Sequence, residues 1–319
     1  MTILGVDVSK DTIDVTLRDD PKGKEHHQFA NNKSGFRALR KWLGQRNISK
    51  LHVCMEATNI YWEALALFCY DEGWQVSVVN PVRIKGFAKS QMRRNKTDPE
   101  DSDIIADFCA LMKPRLWHPP SPEERKLRDL LRHQHALQKT LTQQTNRLHT
   151  CQNEDVCNSL QTIIGVLRTE IAQVEEKTQS LLQSHPDLKQ RFDFLHSIKG
   201  IGSKTALFLL AEMHDLANYE NARAAAADAG VTPSHYQSGT SVKRRTKISK
   251  IGKAGIRAAL YWPAITAIQH NPLIKAMAER LRTRGKSQKV IIGAAMRKLL
   301  HLAYGVLKNQ SYFDPYYAR

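Results

Sequence analysis

The chain has 319 residues, with 48 Lys and Arg against 31 Asp and Glu and a net charge of +17. Its length suits about two domains of ~150 residues, and 41% hydrophobic with 25% charged residues excludes wholesale disorder. No run of about 18 apolar residues marks a membrane span, the first residues lack a signal peptide's basic leader and apolar core, and the positive excess points to a polyanion, most simply nucleic acid.

In chain order, residues 3–8 form an apolar run ending in a carboxylate, and residues 12–17 (TIDVTL) alternate as a strand does, with Lys10-Asp11 as the turn. A third, weaker strand is expected over 25–30. Asn32 or Ser34 caps a helix with Phe36, Leu39 and Leu43 on its apolar face and Trp42 beside it. Residues 51–55 (LHVCM) read as a fourth strand, followed by a helix near 61–70 and a fifth strand at 75–79 that Pro81 stops. A basic loop over 85–96 leads to a helix at 98–111. Three strands, helix, strand, helix, strand, helix is an order that resembles the ribonuclease H-like fold.

After the break WHPPSP (117–122), the pattern becomes helical. Leu127, Leu130, Leu137, Leu141 and Leu148 mark one seam; Val156, Leu160, Ile163, Leu167, Ile171, Val174 and Leu181 mark a second. QNED (152–155) is the expected turn of an antiparallel hairpin, whose seams pack either on their own domain or on another copy. His185-Pro186 ends it, and short helices and loops are expected from Phe192 onward. Within them, Ile198 to Ala206 (IKGIGSKTA) suits a helix-hairpin-helix that offers backbone N–H groups, Lys199 and Lys204 to a phosphate backbone. An ordinary helical corner has the same look. Cysteines 54, 69, 109, 151 and 157 are odd in number and form no CxxC pair, so reduced, buried thiols in the cytoplasm are expected, without a zinc site or disulfide framework.

Four carboxylates stand out. Asp7 ends the first strand's apolar run, Glu56 ends the fourth strand, and Asp98 and Asp101 stand three apart at a helix start, on one face. A carboxylate in a first strand is costly unless it binds something. Gathered together, such oxygen donors suit two Mg²⁺ ions acting on a phosphodiester. Helix capping accounts for Asp98 but for neither Asp7 nor Glu56; Glu100 and Asp103 compete for the helical role, Asp103 as the second choice. Arg93, Arg94 and Lys96 beside such a site read as phosphate contacts.

A second constellation is Ser238-Gly239 in a loop, a nucleophile candidate ahead of Lys243, Arg244, Arg245, Lys247, Lys250, Lys253 and Arg257, with a further basic cluster at 280–289. Acidic residues are absent from that stretch, which favours nucleic-acid contact over a merely solvated face.

The pieces GVDVSK, MEAT, NKTDPEDSDIIA, KGIGSKTA, GVTPSHYQSG and ISKIGKAGIRAAL together resemble the DEDD transposases of the insertion sequence 110 family, described as bridge-RNA-guided recombinases. The match runs over nearly the whole chain. The resemblance implies an α/β plus α architecture: a RuvC-like domain at 1–117, a coiled-coil hairpin at 118–188, and a mainly helical transposase domain at 189–319. It implies a metal site at Asp7, Glu56, Asp98 and Asp101 and a catalytic serine at Ser238, with Ser241 close enough to compete. It further implies a homotetramer with composite sites and a non-coding RNA that pairs with donor and target DNA. Three positions depart from the pattern: Lys199 stands where proline is common, Ser102 where alanine is common, and Thr240-Ser241 adds a serine. A metal-dependent Holliday-junction nuclease without a serine nucleophile is the alternative enzyme, and a silent nucleic-acid-binding scaffold the non-enzyme.

Overall fold

The computed structural model describes residues 2–19, 23–46, 48, 50–92, 98–234, 237–238, 242–243, 246–249 and 251–316. The chain divides into two compact units, Met1–Pro119 and Pro120–Arg319.

The first unit is a mixed α/β layer structure. Strands β1 (Thr2–Val8), β2 (Thr12–Asp19) and β3 (Gly23–Ala30) run antiparallel in sequence. The Ser9 side chain closes the first turn by donating to the Thr12 carbonyl at 2.8 Å. Helix α1 (Lys33–Gly44) starts at Asn32, whose side chain accepts from the N–H groups of Ser34 and Gly35, and buries Phe36, Leu39 and Leu43. Then come β4 (Leu51–Glu56), α2 (Glu63–Asp71) and β5 (Gln75–Val79). The sheet order is β3-β2-β1-β4-β5, with β4 parallel to both β1 and β5.

Two helices follow where the sequence reading placed a basic loop and one helix: α3 (Pro81–Ser90) and α4 (Asp98–Met112). Pro81 stops the strand and also opens α3, because a proline in the first helical turn needs no N–H partner, and the Asn80 side chain caps the Val82 N–H at 2.9 Å.

Strand alternation sends side chains to two faces. Leu4, Val6, Val8, Val53 and Met55 pack with α1 and α2. Ile3, Cys54 and Val79 pack with Ile84 of α3 and Ile105, Ala106 and Cys109 of α4. The second contact is very close at Gly5. A Cβ there would stand 2.3 Å from the Ser102 carbonyl oxygen and 2.4 Å from the Ala106 nitrogen. Ser102, the residue where alanine is common in the resembled family, is fully buried and shares a 2.8 Å hydrogen bond with Thr16.

The second unit is mainly helical. Helix α5 (Pro122–His149) opens with a capping box between Ser121 and Glu124, and α6 (Glu154–Ser184) is capped by Asn153, so the turn falls slightly before the expected QNED. Leu160, Ile171, Val174 and Leu181 are buried as expected, but the second seam slips by one residue where Ile164 is buried and Ile163 is 43% exposed. Helices α7 (Pro186–His196), α8 (Ser203–Glu212) and α9 (Ala222–Asp228) follow.

Where loops were expected, four two-residue strands form an arm of two separate two-stranded sheets: β6 (Pro233–Ser234) with β9 (Lys247–Ile248), and β7 (Gln237–Ser238) with β8 (Val242–Lys243). Beyond it, α10 (Ala254–His270), α11 (Pro272–Thr283) and α12 (Gln288–Lys308) are longer than the short helices expected. Helix α12 has the length and apolar composition of a membrane span, yet Ile291, Ala295, Leu299 and Ala303 belong to the unit's buried core. Three cysteines are buried as expected; Cys151 and Cys157 are half-buried.

The Gly5 contact leaves no room for a methyl group. Gly5→Ala is expected to lower stability by about 1–3 kcal/mol, read from urea-unfolding midpoints. The control is Gly165→Ala in α6, where nothing lies within 4 Å; it is expected to gain about 0.5–1 kcal/mol.

Candidate active site

The contact at Gly5 fixes where the acidic residues fall. Ser102 lies against Gly5 and Thr16, and seven residues later Cys109 reaches His52 near the start of β4. Helix α4 therefore runs against the direction of β1 and β4, its first turn near their C-terminal ends. Asp7 shares the Gly5 face by alternation. Val6 pairs with Met55, so one residue on, Asp7 and Glu56 stand side by side on adjacent parallel strands. Both are half-buried, as is Asp101 one turn ahead of Ile105. Asp98 begins α4, but its side chain lies outside the described residues.

Neighbouring charges separate the competing acids. Lys24 of β3 binds Asp103, and also Asp107 at 2.7 Å; Arg18 of β2 adds a 3.0 Å contact to Asp107. Asp103 and Asp107 thus tie α4 to the β2–β3 side of the sheet. Glu100 Oε2 is buried with no hydrogen-bond partner among the described residues. Among those residues, no three His, Cys, Asp or Glu side chains converge as a metal-binding group. Asp7, Glu56 and Asp101 offer carboxylate oxygens, the donor type that suits a hard cation.

Two features here were missed from sequence. Asp14, the register partner of Asp7 on β2, is only 5% exposed. Its place in TIDVTL looks like the solvent side of an edge strand, and α4 covers that side. Beneath Glu56, His52 shares hydrogen bonds with Ser77 (2.8 Å) and Cys109 (3.4 Å). The hydrogen bond to Cys109, reinforced by burial, pushes the Cys54 thiol well above its usual range.

The serine sits in the arm of the second unit. Ser238 pairs with Val242 and Gln237 with Lys243, while Pro233 and Ser234 pair with Ile248 and Lys247 in a separate sheet. Ser238 thus lies on β7, its side chain outside the described residues; Ser241 is wholly outside them. The arm is pinched at its base. Gly230 (φ +66°) and Gly252 (φ +133°) both have left-handed backbones, and a Cβ on Gly252 would meet the Asp228 carbonyl at 2.2 Å. Lys253 donates to the Glu212 carbonyl at 3.1 Å and lies 3.5 Å from Asp228, so it also braces this base.

Lys199, Lys204 and Lys247 are exposed. Lys199 lies in the turn between α7 and α8, beside Gly200 (φ +106°), and Lys204 is in the first turn of α8, whose N-cap Gly202 supplies no side-chain acceptor. The α8 amides are therefore open to an anion. Arg93, Arg94, Lys96, Arg244, Arg245 and Lys250 lie outside the described residues, as does the side chain of Lys243.

Two protein-family models match the chain. The DEDD transposase model of IS110 covers residues 4–154, and that of the transposase IS116/IS110/IS902 family covers residues 193–279. The chain is also 34% identical over 316 residues to the pilin gene-inverting proteins of Moraxella bovis and Moraxella lacunata, spanning 98% of either partner in each case. It is 23% identical over 159 residues to the insertion element IS110 uncharacterized 43.6 kDa protein of Streptomyces coelicolor, covering 50% of this chain and 38% of that protein.

The glycine pinch makes its own prediction. Gly252→Ala combines a left-handed backbone with a steric overlap, so a loss of about 1–3 kcal/mol is expected, visible as a lower thermal midpoint.

Proposed function

Because the chain belongs to the IS110 family of transposases, enzymes that act on DNA, we propose that it cuts and rejoins DNA through a covalent phosphoserine link, with Asp7, Glu56, Asp98 and Asp101 as its acid site and Ser238 as its nucleophile. The observation that carries this reading is the meeting of Asp7 and Glu56 at the ends of adjacent parallel strands, under the first turn of α4. The sheet order β3-β2-β1-β4-β5 supports a RuvC-like, ribonuclease H-type first unit, and the α7–α8 corner with its uncapped helix supports a helix-hairpin-helix contact to phosphates.

Hard carboxylate donors fit Mg²⁺, which when bound would supply charge neutralisation at the scissile phosphate. The chain's own residues do the rest. Ser238 Oγ forms a bond to phosphorus, its proton passes to a base, and one deoxyribose oxygen leaves and is protonated. The energy of the phosphodiester stays in the protein–DNA bond, so a new sugar hydroxyl can reverse the step without an external energy source. The family resemblance carries the expectation of composite sites, with the acids from one protomer and the serine from another. The name of the Moraxella relatives, gene-inverting proteins, fits such chemistry, because inversion needs every broken strand rejoined.

The hairpin exposes Val156, Ile163 and Val166 along α6. An apolar stripe on a long helical projection supports oligomerisation through it, a tetramer being the expectation carried over from the family. The +17 charge, without a recognisable base-reading module, supports a protein that holds backbones while a bridge RNA selects sequence.

Ser238→Ala is expected to abolish both strand exchange and the detergent-resistant protein–DNA adduct, by about 10³-fold or more, with the thermal midpoint unchanged. Asp7→Asn or chelation of divalent cations is expected to remove cleavage as well. Full exchange by the Ser238→Ala variant would sink the serine assignment, and loss in Ser241→Ala alone would move the nucleophile; metal-dependent cleavage that survives in Ser238→Ala without any rejoining would return the junction nuclease. For the RNA, the expected result is one discrete species, transcribed from the element's flank, among the RNA that co-purifies; heterogeneous RNA would leave charge as the sole cause of binding.

A further inference from the structure

Among the described residues, the most deeply buried carboxylate of the first unit has no part in the chemistry above. Asp14 is 5% exposed. It pairs in register with Asp7, and alternation along β2 puts it on the face of Thr16, which is hydrogen-bonded to Ser102 at the start of α4. Both Asp14 oxygens accept from Gln28 Nε2, at 3.1 and 3.2 Å, and Oδ1 lies 3.3 Å from His26 Nε2. The neighbouring lysine and arginine are committed elsewhere: Lys24 to Asp103 and Asp107, Arg18 to Asp107.

This arrangement is expensive as a purely structural device. Like charges at directly opposed positions of two strands repel, and a buried carboxylate costs several kcal/mol unless something offsets it. An amide such as Gln28 orients the carboxylate without neutralising it, and His26 offsets its charge only when the imidazole is protonated. A Thr, Ser or Asn at position 14 would bond Gln28 without placing a second carboxylate beside Asp7. The cost is offset if a cation stands in front of Asp7 and feels both carboxylates.

We infer that Asp14 is a positioning residue of the acid site: Gln28 holds it behind Asp7, where it strengthens the hold of Asp7 and Glu56 on a divalent cation without itself touching the DNA. This rests on the metal-dependent reading above. Carboxylates standing behind metal ligands commonly contribute 10–100-fold in affinity. Gln28 is exposed on β3, so Asp14 is oriented from a side open to substitution.

The test uses the full-length protein and Mn²⁺ as probe, with affinity measured by calorimetry and thermal midpoints taken with and without the metal. Asp14→Asn keeps the size and the bond to Gln28. It is expected to weaken Mn²⁺ binding roughly 10–100-fold while the metal-free midpoint stays level or rises, because a buried repulsion is relieved. A lower metal-free midpoint with wild-type Mn²⁺ affinity would make Asp14 structural and overturn the assignment. Gln28→Ala, a change on an exposed strand, is expected to give a smaller loss of affinity in the same direction. Should Asp14→Asn fail to fold, that variant decides, and unchanged affinity overturns the assignment. Asp7→Asn separates the two levels: if it leaves Mn²⁺ affinity intact, the metal reading itself falls, whereas a loss there with none in Asp14→Asn removes Asp14 alone.

Discussion

Helix α4 lies on β1 with only a hydrogen atom between them at Gly5, and the acid site depends on that distance. A side chain on Gly5 would lift the helix by the width of a methyl group or more, and with it the first turn that carries Asp98 and Asp101. The tethers around the contact keep the helix in rotation as well as in height. Ser102 is bonded to Thr16, Asp103 and Asp107 are held by Lys24 and Arg18, and Cys109 is held by His52. A helix fixed along three of its turns presents Asp101 in one orientation, which is what pre-organised chemistry requires.

The second unit solves a different problem. Ser238, proposed above as the nucleophile, lies on one of four two-residue strands that pair two by two, each pair too short to be stable alone. Their order comes from the base. Gly230 and Gly252 let two chain segments cross closer than any side chain allows, Lys253 braces them against Asp228, and Ile248 packs against Gly293 of α12.

Much of the first unit was legible because its strands and helices carry ordinary periodicities: LHVCM, QVSVV and the Phe36–Leu39–Leu43 face all form the elements their patterns require. Helix α3 was not, since Pro81 reads as a stop and its lysines as a loop, whereas proline in a first helical turn does both jobs. The seam slip at Ile163 and Ile164 has a similar origin: two adjacent isoleucines satisfy the heptad equally, and only packing chooses. Asp7, Glu56 and Asp101 could be singled out because each ends or opens an element. Asp14 could not, because a carboxylate in an alternating strand announces solvent, and the cover over it comes from a helix more than eighty residues away. The serine arm was likewise hidden, its strands being too short to leave a period.

The hairpin's length has a consequence of scale. At 31 residues, α6 extends about 46 Å, and one turn of duplex DNA rises about 34 Å. Whatever grips the tip of this rod stands farther from its root than a full turn of the double helix. Trimming or extending the rod by whole heptads would change that span in steps of about 10 Å while keeping the same face of the helix turned to its neighbour.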